Sequence, residues 1–235
     1  MKKTLYFLIA ISFCIVAHAK AQSEKAYSAR IALSGGWTTR TNTSPRAYPA
    51  FYKDYLETVK QGWSVGANAQ FNINDWLNIG AFFDYFNKRN ATTLYAESES
   101  GDIAIIPIDN TYVINFIGAS LGLQQTTEKS RYSINYLIGF VNYSEKGNYS
   151  PYVSYEIGGL SNSHYLVGHH FGQGAMATYD YFLNKNTAIG VQVAYLISHL
   201  DELNDQHESN TTVIPLNEPI YLNRLNASIN LAYYF

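Results

Sequence analysis

The chain has 235 residues, enough for one domain of moderate size. Hydrophobic residues make up 47% of it, charged residues only 14%, and aromatics 15%, with 21 Tyr and 12 Phe. This composition suits a surface that meets both lipid and water better than it suits a soluble helical protein, because a tyrosine has an apolar ring and a wet hydroxyl.

The N-terminus reads as a targeting segment. Lys2 and Lys3 form a basic start, an apolar run follows over residues 5–17, and Ala17, Ala19 and Ala21 offer small-x-small cleavage sites. The expected division is a signal peptide over residues 1–21 and a single barrel domain over residues 22–235. Cys14 is the only cysteine and lies in the segment to be removed, so the mature chain has neither disulfide nor thiol nucleophile. Cleavage also removes Lys2, Lys3 and Lys20. Lys+Arg falls from 16 to 13 against 18 Asp+Glu, so the formal charge moves from −2 to −5. That balance argues against nucleic acid as a partner.

Eight strands follow in order, each alternating with a period of two. The first, residues 27–38, sends Ile31, Leu33 and Trp37 one way and Ser28, Arg30 and Ser34 the other. The second, residues 62–73, separates Trp63, Val65 and Phe71 from Ser64, Asn68 and Gln70. Asn74-Asp75 marks a tight turn, and the third strand, residues 76–87, sets Leu77, Ile79, Phe83 and Tyr85 against Asn78, Phe82 and Asp84. The fourth and fifth, residues 112–124 and 131–143, flank a short polar turn. Residues 164–183 form the sixth and residues 187–198 the seventh, across the turn Asn184-Lys185-Asn186. The eighth, residues 221–235, carries Leu225, Ile229, Leu231, Tyr233 and Phe235 on its apolar face. Longer polar connections are expected over residues 39–61, 88–110, 144–163 and 199–220. No continuous apolar run in the mature chain reaches the roughly 18 residues of a membrane helix.

Alternation alone does not say which face looks outward, and a lipocalin-like soluble barrel would place its apolar face inside. The small and polar face, rich in Gly, Ser, Asn and Gln, suits a narrow packed interior. Trp63, Phe71, Trp76, Tyr179, Tyr181, Tyr233 and Phe235 gather near strand ends, as an interfacial girdle would. The expected fold is therefore all-β: a closed eight-stranded antiparallel transmembrane barrel with short periplasmic turns and long extracellular loops.

With these residues in view, the chain resembles small eight-stranded outer-membrane barrels of the OmpA/OmpX-like type, and its Asn- and Tyr-rich composition is similar to barrels of the Bacteroidota. The resemblance implies an outer-membrane location. It also implies partners in outer-membrane lipid, lipopolysaccharide and the barrel assembly machinery, the last reading Tyr233 and Phe235 as part of a C-terminal signal. It gives no cofactor.

Four charges fall on the inward face: Arg30 and Asp180 near the periplasmic end, Asp84 and Arg224 higher up. Unpaired buried charge is costly, so these four are expected to form interior ion pairs. An eight-stranded barrel is just wide enough to be filled by such side chains. The plain reading is a polar filling, the functional alternative a gate in a narrow channel.

A second pattern is His207-Glu208-Ser209-Asn210 with Glu218 beyond it. It resembles the lipid A 3-O-deacylase family of outer-membrane barrels, which implies His207 as base, Ser209 as nucleophile and Glu218 as the residue that orients the base. Asp201, Glu202 and Asp205 make the same stretch read more simply as a solvated acidic loop. His169 and His170 are adjacent on a strand and point to opposite faces, so no metal set is evident. The expected function is a structural or surface-binding barrel without catalytic activity. Tyr48, Tyr52, Tyr55, Tyr149, Tyr152 and Tyr155 would serve an extracellular ligand through the loops.

Overall fold

Strands are joined at one end of the molecule by three short turns, each capped by the side chain that the sequence offers for it. Asn74 Oδ1 accepts from the amides of Trp76 (3.0 Å) and Leu77 (2.8 Å). Asn184 Oδ1 does the same for Asn186 (2.9 Å) and Thr187 (2.8 Å), and Thr127 Oγ1 accepts from Ser130 N at 3.0 Å. Side-chain acceptors of this kind satisfy amides that the ladder leaves open.

The computed structural model describes residues 27–41, 57–97, 103–148, 164–207 and 210–235. They form nine strand segments: β1 (Ala29–Arg40), β2 (Gln61–Asn72), β3 (Leu77–Glu97), β4 (Ile103–Thr126), β5 (Ser130–Gly147), β6 (His164–Phe182), β7 (Thr187–His207), β8 (Asn210–Tyr221) and β9 (Arg224–Tyr234). Every pairing is antiparallel. β1 to β7 pair in sequence, β7 pairs with β9, and β9 returns to β1 from Arg30↔Tyr234 to Arg40↔Arg224, closing a ring of eight staves. A closed ring has no sheet edge to expose to lipid.

The eighth stave is built from two segments. β9 meets β7 up to Leu196↔Arg224, and β8 continues in the same register at His199↔Tyr221. Beyond Leu200↔Ile220 the register jumps to Glu202↔Pro215, so β8 carries extra residues there as a bulge. Two of the expected long connections are thereby corrected. Most of residues 88–110 is strand, because the β3–β4 ladder runs unbroken from Leu77↔Leu123 to Glu97↔Ile103. Residues 199–220 are likewise largely the β7–β8 hairpin. On these extensions the buried positions mix apolar and polar residues, such as Ile108, Asn110 and Leu203, so the ladder persists while the alternation that marks it in sequence fades. Pro107 and Pro215 lie on these extensions, and Pro219 lies within the irregular stretch of β8 between Pro215 and Ile220.

Facing is inverted relative to a soluble barrel. Leu33, Phe140 and Ile229 are 67%, 62% and 63% exposed on the outer surface, whereas Arg30, Asp84, Asp180 and Arg224 are at most 1% exposed inside. The exposed band is bounded by Phe71, Trp76, Tyr181 and Phe235 at the turn end and by Trp37, Trp63 and Phe171 at the other. This is the apolar belt with aromatic girdles of a transmembrane barrel. Among the described residues no helix is long and apolar enough to cross a membrane.

Candidate functional site: the barrel interior and the outer rim

The inward faces bring three polar clusters and a large apolar cluster together. Near the turn end, Arg30 grips Asp180 with two bonds, Nε to Oδ2 at 2.7 Å and Nη2 to Oδ1 at 3.0 Å. Planar, two-pronged pairing of this kind is the strong form of an arginine–carboxylate bond. Arg30 Nη1 also donates to Asn68, and the Tyr234 hydroxyl donates to Asp180. Across from them Arg131 donates to Gln124 Oε1 (2.6 Å) and Gln70 Oε1 (2.8 Å), with Nη1 3.9 Å from Asp180 Oδ2. The Tyr234 ring has both guanidiniums about its face, at 6.0 and 5.9 Å from the centroid. Gly190, opposite Asp180 on β7, makes this possible: a Cβ there would lie 2.3 Å from Asp180 Oδ1 and 3.0 Å from Asn230 Nδ2.

Higher in the barrel, Asp84 accepts from Arg224 Nη2 at 2.8 Å and from Asn226 Nδ2 at 2.8 Å. Asn226 also donates to Ser64 Oγ at 2.7 Å, which in turn accepts from Thr38. The four charges named from sequence thus stand in two separate pairs, Arg30 with Asp180 and Arg224 with Asp84. Sequence reasoning missed Arg131, which reads as a strand start beside a polar turn, and Tyr234, which reads as one more terminal aromatic.

The rest of the interior departs from the expected small and polar face. Phe82 and Phe116, 5.9 Å apart between centroids, pack with Phe86, Ile114, Leu137, Met176 and Leu196 in a buried apolar cluster. Leu200, Leu203, Ile214, Ile220 and Leu222 continue it up the β7–β8 hairpin. On β3 large aromatics occur on both faces, Phe82 and Phe86 inside and Phe83 outside, so aromatic character alone does not mark the inside. Above it, Glu145 accepts from Asn110 (3.0 Å) and Tyr143 (2.8 Å) and lies 3.4 Å from His164 Nε2.

Outside the belt, on the β3–β4 extension, Arg89 holds Asp109 with bonds of 2.8 and 3.0 Å. Those bonds keep the Asp109 carboxyl below its usual range. A depressed carboxylate adds stability above its ordinary titration and loses it as pH falls through the folded value. At this exposure the contribution is small.

At the outer rim, above Phe171 and Ile197, His170, His199 and Asp201 converge. Both Nε2 atoms lie 3.4 Å from Asp201 Oδ2, and the imidazoles are 4.3 Å apart between centroids. No metal set is evident from the sequence, where His169 and His170 point to opposite faces; the structure brings His170 together with His199 and Asp201 instead. The β6–β7 ladder shifts register between Val167 and Gly172, and this irregularity brings the His170 ring against His199. His169 is exposed beside it.

Of the hydrolase-like residues, His207 ends β7, Glu218 is exposed on β8, and Ser209 lies outside the described residues. The same is true of residues 1–21 and of Tyr48, Tyr52, Tyr55, Tyr149, Tyr152 and Tyr155. Tyr233 and Phe235 face outward at the turn end with rings 4.8 Å apart. Phe235 is tied to β1 through Phe235 N to Ala29 O and Ser28 N to Phe235 O.

These features define a transmembrane β-barrel with a filled interior. Among solved structures, the chain is similar to a major outer membrane protein from Thermus thermophilus, at 9% identity and a TM-score of 0.51, over 90% of this chain and 100% of that one. It is also similar to Ail, the attachment invasion locus protein of Yersinia pestis, at 13% identity and a TM-score of 0.47, over 88% and 98% of the two chains. Neisserial surface protein A matches at 13% identity and a TM-score of 0.46, over 90% and 100%. No protein-family model and no curated protein matches the sequence.

Proposed function

We propose that this protein is an integral outer-membrane barrel with a structural or surface-binding role and no catalytic activity. The observation that carries this reading is the combination of a lipid-facing apolar belt with an interior filled by side chains. The buried cluster around Phe82, Phe116, Leu137 and Leu196 offers no polar group to replace an ion's hydration shell, and apolar constrictions of this kind block ions. The β3–β4 and β7–β8 hairpins rise beyond the belt and offer backbone edges and polar side chains to an extracellular ligand. Outer-membrane lipid and lipopolysaccharide would surround the belt. The barrel assembly machinery would recognise Tyr233 and Phe235 after a signal peptide over residues 1–21 has been cleaved.

Planar-bilayer recording tests the filled interior. The purified protein is expected to give no discrete openings across the usual voltage range, and reproducible unitary steps would make it a channel instead. A second measurement addresses catalysis. Lipid A from cells with and without the protein should give the same mass spectrum, and Ser209→Ala should change nothing. Loss of one acyl chain that depends on Ser209 would make the protein an esterase.

A further inference from the structure

We propose that His170, His199 and Asp201 form a binding site for a divalent transition-metal ion, Zn2+ foremost, on the outer rim of the barrel. This site is independent of the filled interior and of the hairpins' proposed binding role.

Spacing is the first argument. Two ligand atoms each about 2.0–2.1 Å from a tetrahedral zinc lie about 3.4 Å apart. Both imidazole Nε2 atoms stand at 3.4 Å from the same Asp201 oxygen. All three ligand atoms lie within 4.8 Å of one another, so a modest rotation of half-exposed side chains closes the remaining gap.

Tautomer is the second. His170 Nδ1 is 3.0 Å from the Phe171 carbonyl oxygen. A carbonyl only accepts, so Nδ1 carries a proton there, which leaves Nε2, on the Asp201 side, as the nitrogen available to a metal. Metal-bound histidines are held in this way, with the far nitrogen donating to a backbone carbonyl.

Placement is the third. The β6–β7 register shift brings His170 in from one side, and the β7–β8 shift between Leu200 and Glu202 spans Asp201 on the other. Two imidazoles and one carboxylate favour Zn2+ and its neighbours over Ca2+ or Mg2+, which prefer oxygen ligands. Three protein ligands leave one position open for water.

The test is calorimetric titration of the purified, untagged barrel in detergent micelles with Zn2+ alone. One saturable site per chain is expected. His170→Ala, His199→Ala and Asp201→Asn should each weaken it by about tenfold or more, while His169→Ala should leave it unchanged. Co2+ bound to the unaltered protein should give the intense visible bands of a four-coordinate site. Absence of saturable binding would overturn the proposal. So would binding that survives loss of His170 and His199, which would make the ion adventitious, or binding lost equally in His169→Ala.

Discussion

Asp180→Asn is expected to destabilise the barrel by about 3–5 kcal/mol, the cost of removing one partner from a buried ion pair. Asp180 is the carboxylate that Arg30 grips and that Arg131 approaches, and it also accepts from Tyr234. Without it, two guanidiniums face each other in a closed interior with only neutral amides and one ring to stabilise them. Arg30→Gln should cost a similar amount, since it leaves the carboxylate with the Tyr234 hydroxyl and, as its only cation, the more distant Arg131. Arg131→Gln should cost clearly less: its short bonds go to Gln70 and Gln124, and its loss removes repulsion with Arg30. The double variant Asp180→Asn/Arg131→Gln should recover part of the stability lost with Asp180 alone. Urea unfolding of the vesicle-inserted protein, followed by tryptophan fluorescence, measures all four. A loss under about 1 kcal/mol for Asp180→Asn would mean that water enters the interior and screens the pair.

Ile229→Arg, on the opposite face of the wall, should cost about 2–4 kcal/mol in a bilayer, as expected for a cation near the midplane. Ile229 is 63% exposed and lies on β9 between Ala227, opposite Trp37, and the terminal aromatics Tyr233 and Phe235. In a water-soluble barrel the same change would be nearly neutral, because an exposed Ile gains little from burial it does not have. Ser28→Arg, on the turn side of β1, serves as the interfacial control and should cost little. Equal, small effects at both positions would argue that the apolar belt does not face lipid.

The membrane-spanning staves were legible because their two faces meet different surroundings. Ile189, Val191, Val193 and Tyr195 alternate with Ala188, Gly190, Gln192 and Ala194, and the structure puts the first set outside and the second inside. Turns were legible because Asn74 and Asn184 carry the acceptor that their backbone needs. The hairpin extensions were not, since their buried face mixes polar with apolar residues: Asn110 is as buried as Ile108, and exposed Asp109 lies between them. Phe86 and Phe116 escaped because an aromatic inside a barrel and one at its girdle look the same in sequence; Phe82 fell on the inward face with Asn78 and Asp84 but stood there as an exception to a small and polar filling. The rim cluster was hidden by the β6–β7 irregularity, because a period-two reading assigns His170 to a face without knowing where the register slips. Arg131 needed knowledge of which strands sit across the barrel, which no local pattern contains.

The ladder between β1 and β9 sets an order in time. It joins Arg30 to Tyr234 and Ser34 to Asn230, partners separated by about the whole length of the described chain. Every other neighbouring pair of staves can zip from a nearby connection, but this one has no local route. Long-range pairing of this kind slows folding, since the intervening chain must be brought together before any contact forms. Until β9 arrives, β1 has an unsatisfied edge that hydrocarbon will not tolerate. The N-terminal stave must therefore be kept in water, or matched by a temporary strand from another protein, until the C-terminal stave takes its place.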